Sequence, residues 1–348
     1  MDKKGCQGLL PEWTPQAGVL LVWPHSHSDW APLLAQAHAQ YIELILAIAK
    51  FEPVFVICPE ELEEHPPRGC FAGSHYPVSF IPIPTNDTWI RDYGPLCKAS
   101  SRGKQLVQYT YNGWGQKYPS YLDNQVTYRL LHKDFFKPDV APSRQDRRFA
   151  LEGGGIESNG EGILLVNRYW LEASNRNEGY TQDELKESIR DSLEVKKIIE
   201  VDCPPLEGDD TDGHIDTIVR FVSSDCLAYV APSDPLSPNY KSLILLEKQV
   251  KALKNLEEKP FELLPLPDVG ALENEHGELL PATYANFLFV NGGIIVPTYG
   301  KKTLDEQVLA LFQKAFPSYK IIPVEATTLI QWHGSIHCAT MQIAKDFL

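Results

Sequence analysis

Ala285-Asn286-Phe287-Leu288-Phe289-Val290-Asn291-Gly292-Gly293-Ile294-Ile295-Val296-Pro297 is the stretch whose reading decides the fold. Two apolar runs flank an Asn-Gly pair, a strong short-range signal for a β-hairpin, and the pair favours a primed turn. Beyond it, residues 304–316 are apolar at helical spacing. Residues 319–324 then read as a short buried strand. The unit is hairpin, helix, strand.

The same order recurs upstream. A hairpin over 94–112 turns at Ser100-Ser101-Arg102-Gly103, with a helix near 121–135 and an apolar segment at 149–151 after it. A hairpin over 155–167 turns through Asn159-Gly160-Glu161-Gly162, followed by helix 181–193 and strand 197–201. A third, over 216–231, turns through Ser223-Ser224-Asp225 ahead of helix 240–256 and strand 261–266. The first unit has strand 18–24, helix 31–50 and strand 55–58, so one hairpin strand is missing; segment 334–343 can supply it and close the set. Comparable points Asp92, Glu152, His214 and Asn286 lie 60, 62 and 72 residues apart. No such unit can bury its apolar face alone, which argues for one closed α/β array over residues 1–348 rather than independent domains.

Composition bounds the function. The 348 residues are 43% hydrophobic, enough for a packed core and too much for disorder. Acidic residues outnumber Lys and Arg by 46 to 32, a formal charge of −14. That excludes nucleic acid as a natural partner, because phosphate binding needs a basic face, and it suits a cationic ligand. No apolar run reaches the ~18 residues a membrane span requires. Met1-Asp2-Lys3-Lys4-Gly5-Cys6-Gln7 lacks the apolar core of a secretory signal. Seven scattered cysteines form neither a disulfide framework nor a CxxC knuckle, so a reducing cytoplasm is the expected compartment. A homo-oligomer is compatible with all of this.

The chemistry-bearing side chains collect where units begin. Asp92 lies in Thr88-Trp89-Ile90-Arg91-Asp92-Tyr93-Gly94-Pro95, and Glu152 opens Glu152-Gly153-Gly154-Gly155. His214 and Asp216 lie in Asp212-Gly213-His214-Ile215-Asp216, and Cys338 in Gly334-Ser335-Ile336-His337-Cys338. Units arranged around an axis would bring these five into one pocket. Strand alternation would send His214 and Asp216 to one face, a general acid/base beside a carboxylate. The glycines do not form a phosphate loop, and no G-x-S-x-G elbow exists. His25-x-His27-x-Asp29 and His333-x-x-x-His337-Cys338 carry ligand-type side chains, but neither has the spacing of a four-ligand zinc site. No metal or other cofactor is expected.

With these motifs in order, the sequence resembles the agmatine deiminases, in the guanidino-group-modifying superfamily with the pentein fold, and more distantly the bacterial peptidyl-arginine deiminases. The resemblance also runs through Leu10-Pro11-Glu12-Trp13, Trp23-Pro24-His25, Tyr111-Asn112-Gly113-Trp114-Gly115, Asn175-Arg176-Asn177 and Ala285-Asn286-Phe287. It implies a five-bladed pseudo-symmetric α/β propeller. It implies Cys338 as nucleophile, His214 and Glu152 handling protons, and Asp92 and Asp216 gripping a guanidinium. The expected reaction is hydrolysis of agmatine to N-carbamoylputrescine and ammonia through a covalent thiouronium. An arginine or peptidyl-arginine deiminase, an amidinotransferase and a non-catalytic pentein that binds cations are the alternatives. Trp89 and Trp114 are expected along the slot for the aliphatic chain. Asp210 stands where the family usually carries Glu, one methylene longer, at the far end of the substrate. Trp332-His333-Gly334-Ser335 replaces the usual Gly-Gly-Gly-Asn before the Ile-His-Cys. A thiol among three carboxylates should resist ionisation, so substrate charge or a protonated His214 has to offset them.

Overall fold

A computed structural model of the chain describes residues 8–59, 66–143 and 149–348. Five mixed sheets hold nearly all of the strands' hydrogen bonds, and each combines an antiparallel pair with a parallel strand. In the fifth, Leu288–Val290 pairs antiparallel with Gly293–Thr298, which pairs parallel with Lys320–Glu325. A parallel neighbour cannot be reached through a tight turn, so helix Lys302–Ala315 makes the crossover. The third and fourth sheets repeat this with Ile156–Ser158, Ile163–Asn167 and Lys197–Val201, then Val219–Ser223, Cys226–Ala231 and Glu262–Pro267. Their crossovers are Gln182–Leu193 and Tyr240–Val250. The first of these helices starts on a reciprocal cap between Thr181 and Glu184.

The first sheet contains the strand anticipated from the far end of the chain. Met341–Ala344 pairs antiparallel with Gln16–Val22, beside Val54–Cys58 and an unforeseen fourth strand, Val78–Pro82. The second sheet differs from expectation. Its parallel strand is Ala141–Pro142, whereas Ala150 makes only an isolated bridge to Thr110. Helix 121–135 is likewise reduced to Val126–His132 after a 3-10 turn.

The hairpin turn at 291–292 is not a primed one. Gly292 takes φ 76°, but Asn291 is not among the residues with positive φ. The Asn291 side chain is committed elsewhere. Its Oδ1 accepts from Gln16 N (3.0 Å) and its Nδ2 donates to Gln16 O (2.9 Å), tying the fifth sheet to the first. Other pairs link the remaining neighbours. Phe55 packs on Phe135, Lys98 pairs with Glu194, Asn159 donates to Ser224 O, and Arg220 donates to Phe287 O. Apolar residues such as Leu20, Leu165, Leu227 and Ile295 are fully buried under these sheets, at ~1.5–3 kcal/mol apiece.

Candidate active site

Asp92 sits on the single helical turn Ile90–Tyr93, whose Arg91 N–H donates to Cys338 O (3.2 Å). One carboxylate oxygen of Asp92 accepts from Gly154 N and the other from Trp114 Nε1, both at 2.9 Å. Glu152 precedes the 3-10 turn Gly153–Gly155 and is fully buried. Arg176 Nε donates to both its oxygens (2.9 and 3.0 Å), and Trp170 Nε1 donates to Oε2 (2.6 Å).

His214 and Asp216 do reach one pocket, but not by strand alternation. Residues Ile215–Thr217 form a 3-10 turn, with Thr211 Oγ1 accepting from His214 N and Thr217 Oγ1 donating to His214 O. The tight turn, rather than a pleat, keeps the two side chains together. The imidazole lies between carboxylates: Nδ1 is 3.6 Å from Asp92 Oδ1 and Nε2 is 3.7 Å from Glu152 Oε2.

Cys338 Sγ lies 3.3 Å from Asn286 Nδ2 and 3.7 Å from Asp216 Oδ2. Asn286 Oδ1 accepts from the backbone N–H groups of His337 (2.9 Å) and Cys338 (3.3 Å). Two polar atoms in this centre are buried without a partner, His214 Nε2 and Asp216 Oδ1. Gly154 lies against the other sides of these groups. A Cβ there would sit 2.6 Å from His214 Nδ1, 2.7 Å from Asp92 Oδ1 and 3.2 Å from Asp216 Oδ2. Any larger residue would push these side chains aside.

The electrostatics separate the carboxylates. Burial pushes Asp92 up to about 6, with His214 opposing. Burial pushes Glu152 the same way, yet the Arg176 guanidinium, the nearby His214 and the bond from Trp170 hold it at about 2. For His214, burial disfavours the cation, but Asp92, Glu152 and Asp216 outweigh it and raise the pKa to about 9. Burial, then Asp216 and Asp92, drives the Cys338 thiol well above its ordinary value, as the cluster of carboxylates implied. Burial and the carboxylates thus favour the thiol at Cys338, while the same carboxylates favour the imidazolium at His214.

A pocket leads out from Cys338, lined by Trp89, Trp114, Trp332, Tyr118, Asp29, Asp87 and Asp210 among others. Trp89, Trp114 and Asp210 thus line one pocket. Trp114 also does more than line a slot, since its indole fixes Asp92. Tyr118 OH donates to Asp210 Oδ2 (3.2 Å). The described lining contains no Lys or Arg.

Sequence reasoning gave no role to the groups behind this centre. Arg91 and Arg220 pair with Glu12, Arg220 also pairs with Glu157, and His337 bridges Glu12 and Asp216. The signal for Arg220 was a lone cation in the apolar run Val219-Arg220-Phe221-Val222. Glu12, Glu157 and His337 are the one set of ligand-type side chains among the described residues whose atoms lie within 4.8 Å of one another. The carboxylates of that set already engage two guanidiniums, so its positive charge comes from the protein's own side chains. Among the described residues no helix is long and apolar enough to cross a membrane.

The chain is similar to known deiminases along nearly its whole length. The family described as Porphyromonas-type peptidyl-arginine deiminase matches residues 8–344. An agmatine deiminase of Pseudomonas syringae pv. tomato is 30% identical over 97% of this chain and 95% of its own length. Among solved structures, the C. jejuni agmatine deiminase with substrate bound superposes with TM-score 0.85 at 32% identity, covering 97% of this chain and 96% of that one. A Porphyromonas gingivalis protein provisionally described as an arginine deiminase gives TM-score 0.88 at 35% identity, covering 98% and 99%. With an α/β fold shared with guanidino-modifying deiminases along nearly its whole length, the chain belongs to the Porphyromonas-type peptidyl-arginine deiminase family.

Proposed function

We propose that the chain is an agmatine deiminase, hydrolysing agmatine to N-carbamoylputrescine and ammonia, with no metal or other cofactor. The convergence of Asp92, Glu152, His214, Asp216 and Cys338 in one buried cluster carries this reading. A guanidinium is planar, cationic and resonance-stabilised. Asp92 and Asp216 offer it charge-assisted hydrogen bonds that fix its plane and its carbon beside Cys338 Sγ. Docking of that cation counters the carboxylates that disfavour the thiolate, and the thiol proton leaves to solvent.

The thiolate attacks the guanidinium carbon, forming a C–S bond. His214, a cation held by Glu152 and Asp92, donates its proton to the amino group, which leaves as ammonia. The remaining thiouronium is attacked by a water that gives its proton to the now neutral His214. Collapse breaks the C–S bond, returns Cys338 as thiolate and releases the ureido product with the last proton.

The pocket favours agmatine over free arginine. Its outer lining offers Asp29, Asp87 and Asp210 to a terminal amine and no Lys or Arg to an α-carboxylate. The same reading takes the chain as one domain, a five-bladed α/β propeller. Its support is the pairing of Met341–Ala344 with Gln16–Val22 and the links between successive sheets. A cytoplasmic setting is proposed with it, supported by six free cysteines among the described residues. Colorimetric detection of ureido product with agmatine, arginine and a peptidyl arginine tests the assignment. Agmatine should be turned over with the highest kcat/KM. Preference for either arginine substrate would replace it, and ligand binding without product would make the chain a non-catalytic cation binder.

A further inference from the structure

His337 is almost completely buried, and each of its ring nitrogens faces a carboxylate. Nδ1 lies 2.6 Å from Asp216 Oδ2, and Nε2 lies 2.6 Å from Glu12 Oε1. A neutral imidazole has one N–H and would leave a lone pair against the other carboxylate; only the imidazolium donates at both ends. We propose that His337 is a positioning residue for the guanidinium clamp, bridging Asp216 to Glu12 and fixing the Asp216 carboxylate beside the thiol. This rests on the deiminase reading of the site.

Three observations carry the proposal. First, Asp216 spends one oxygen on the protein and keeps the other free. Oδ2 takes His337, lies 3.4 Å from Asn286 Nδ2 and 3.7 Å from Cys338 Sγ, while Oδ1 is buried without a partner. An oxygen left open in that way suits a ligand cation. Second, Glu12 is itself braced. Arg91 Nη1 is 3.1 Å from Oε1, and Oε2 accepts from Arg220 Nη2 (2.5 Å) and Gln342 Nε2 (3.0 Å). Third, the ring joins a buried network of carboxylates and guanidiniums. Glu12, Glu157 and Asp216 stand against Arg91, Arg220 and His337.

The groups facing the pair set the direction of any titration. Asp216 meets His337, His214, Arg220, Asp92 and Cys338, and His337 meets Glu12, Asp216, Arg91 and Arg220. Burial and then the two guanidiniums outweigh the pull of the two carboxylates and bring the ring below its ordinary pKa, so its charge is present on the acid side. Burial disfavours the Asp216 carboxylate, but the bond and charge of His337 bring it below the usual range. Removing that charge should raise the pKa of Asp216 by about 1–3 units. Guanidinium binding would then be lost at a higher pH.

The test is agmatine binding by calorimetry from pH 4 to 8, in a Cys338→Ala parent and in the same parent carrying His337→Asn. The amide keeps a donor for Asp216 and removes the charge. The acid limb of binding should move up by one unit or more, with affinity at pH 8 within about threefold of the parent. Glu12→Gln in the parent leaves the ring in place and should shift the limb in the same direction by less; it decides the matter if His337→Asn does not fold. An unmoved limb, or an equal loss of affinity at every pH, overturns the proposal. Turnover is read separately on the unsubstituted protein. Absence of ureido product with the limb shift present overturns the deiminase assignment and leaves the positioning role standing; absence of agmatine binding in the parent overturns both.

Discussion

Trp114 donates its indole N–H to Oδ2 of Asp92 across 2.9 Å, from a left-handed backbone (φ 53°, ψ 48°) between two glycines of positive φ. That conformation is costly for a bulky residue and persists where the surroundings over-determine it, often at functional sites. Trp114→Phe keeps the ring and loses the donor. A hydrogen bond to a charged group is worth ~1.5–3 kcal/mol, so KM for the guanidine should rise roughly 10–100-fold with kcat less affected. The bond also lowers the pKa of Asp92, and its loss should move the acid limb of kcat/KM upward. A pH series of steady-state kinetics checks both.

Glu152 holds a proton on His214 and is itself held ionised by Arg176. Glu152→Gln should lower kcat by about 10²–10⁴-fold, the usual range for removing part of an acid–base pair. The sign of the pH effect is fixed. The carboxylate raises the His214 pKa toward 9, so without it the imidazolium deprotonates earlier and the alkaline limb shifts to lower pH. An alkaline limb that stays in place would dissociate the two residues.

Gly154 is fitted against three of the clustered side chains. Its φ is not in the left-handed region, so Ala meets no backbone barrier, only the side chains of His214, Asp92 and Asp216. Gly154→Ala should cut agmatine affinity by more than about 100-fold and cost ~1–3 kcal/mol of stability, because the added methyl would sit 2.6 Å from His214 Nδ1 and 2.7 Å from Asp92 Oδ1 and displace both. Calorimetry and thermal melts on one sample compare the two effects.

Asn291 and Glu52 test the seam between the fifth and first sheets. Asn291→Ala strips both backbone partners from Gln16 and should cost roughly 1–3 kcal/mol in denaturant unfolding. Glu52 accepts from Asn291 N, but its Oε1 is buried without a partner, and burial raises its pKa to about 7. A carboxyl whose folded pKa is raised stabilises below its unfolded pKa and loses that contribution as pH climbs to 7. Glu52→Gln does not titrate, so its stability relative to wild type should grow between pH 4.5 and 8, by on the order of 2 kcal/mol.

Much of this was legible because it is local. Each hairpin, helix and following strand lies within one contiguous stretch, and apolar periodicity reports that directly. The return of Met341–Ala344 to Gln16–Val22 was legible as a missing partner. Asp92, Glu152 and His214 could be named because they sit at comparable points of their units, and Asp216 and Cys338 because the motifs around them resemble the family's. What lay hidden was relational. Arg176 serves Glu152 from 24 positions away, and Glu12 meets Arg220 and His337 across 208 and 325 positions. No period links such pairs; only closure of the sheets brings them together. The 3-10 turn at Ile215–Thr217 escaped for another reason, since His-Ile-Asp alternates like a strand until the bonds through Thr211 and Thr217 fold it. Asn291 shows the same limit, its turn being set by Gln16 rather than by its own preference.

The central claim is that Cys338 attacks the guanidinium carbon. Rapid-quench mass spectrometry of the Glu152→Gln variant with agmatine addresses it directly, since impaired proton transfer should let the thiouronium accumulate. The expected result is an adduct of substrate less ammonia on the peptide carrying Cys338, absent from Cys338→Ser, together with no ureido product from Cys338→Ala. Turnover at the wild-type rate by Cys338→Ala, or the adduct on any other residue, would contradict it.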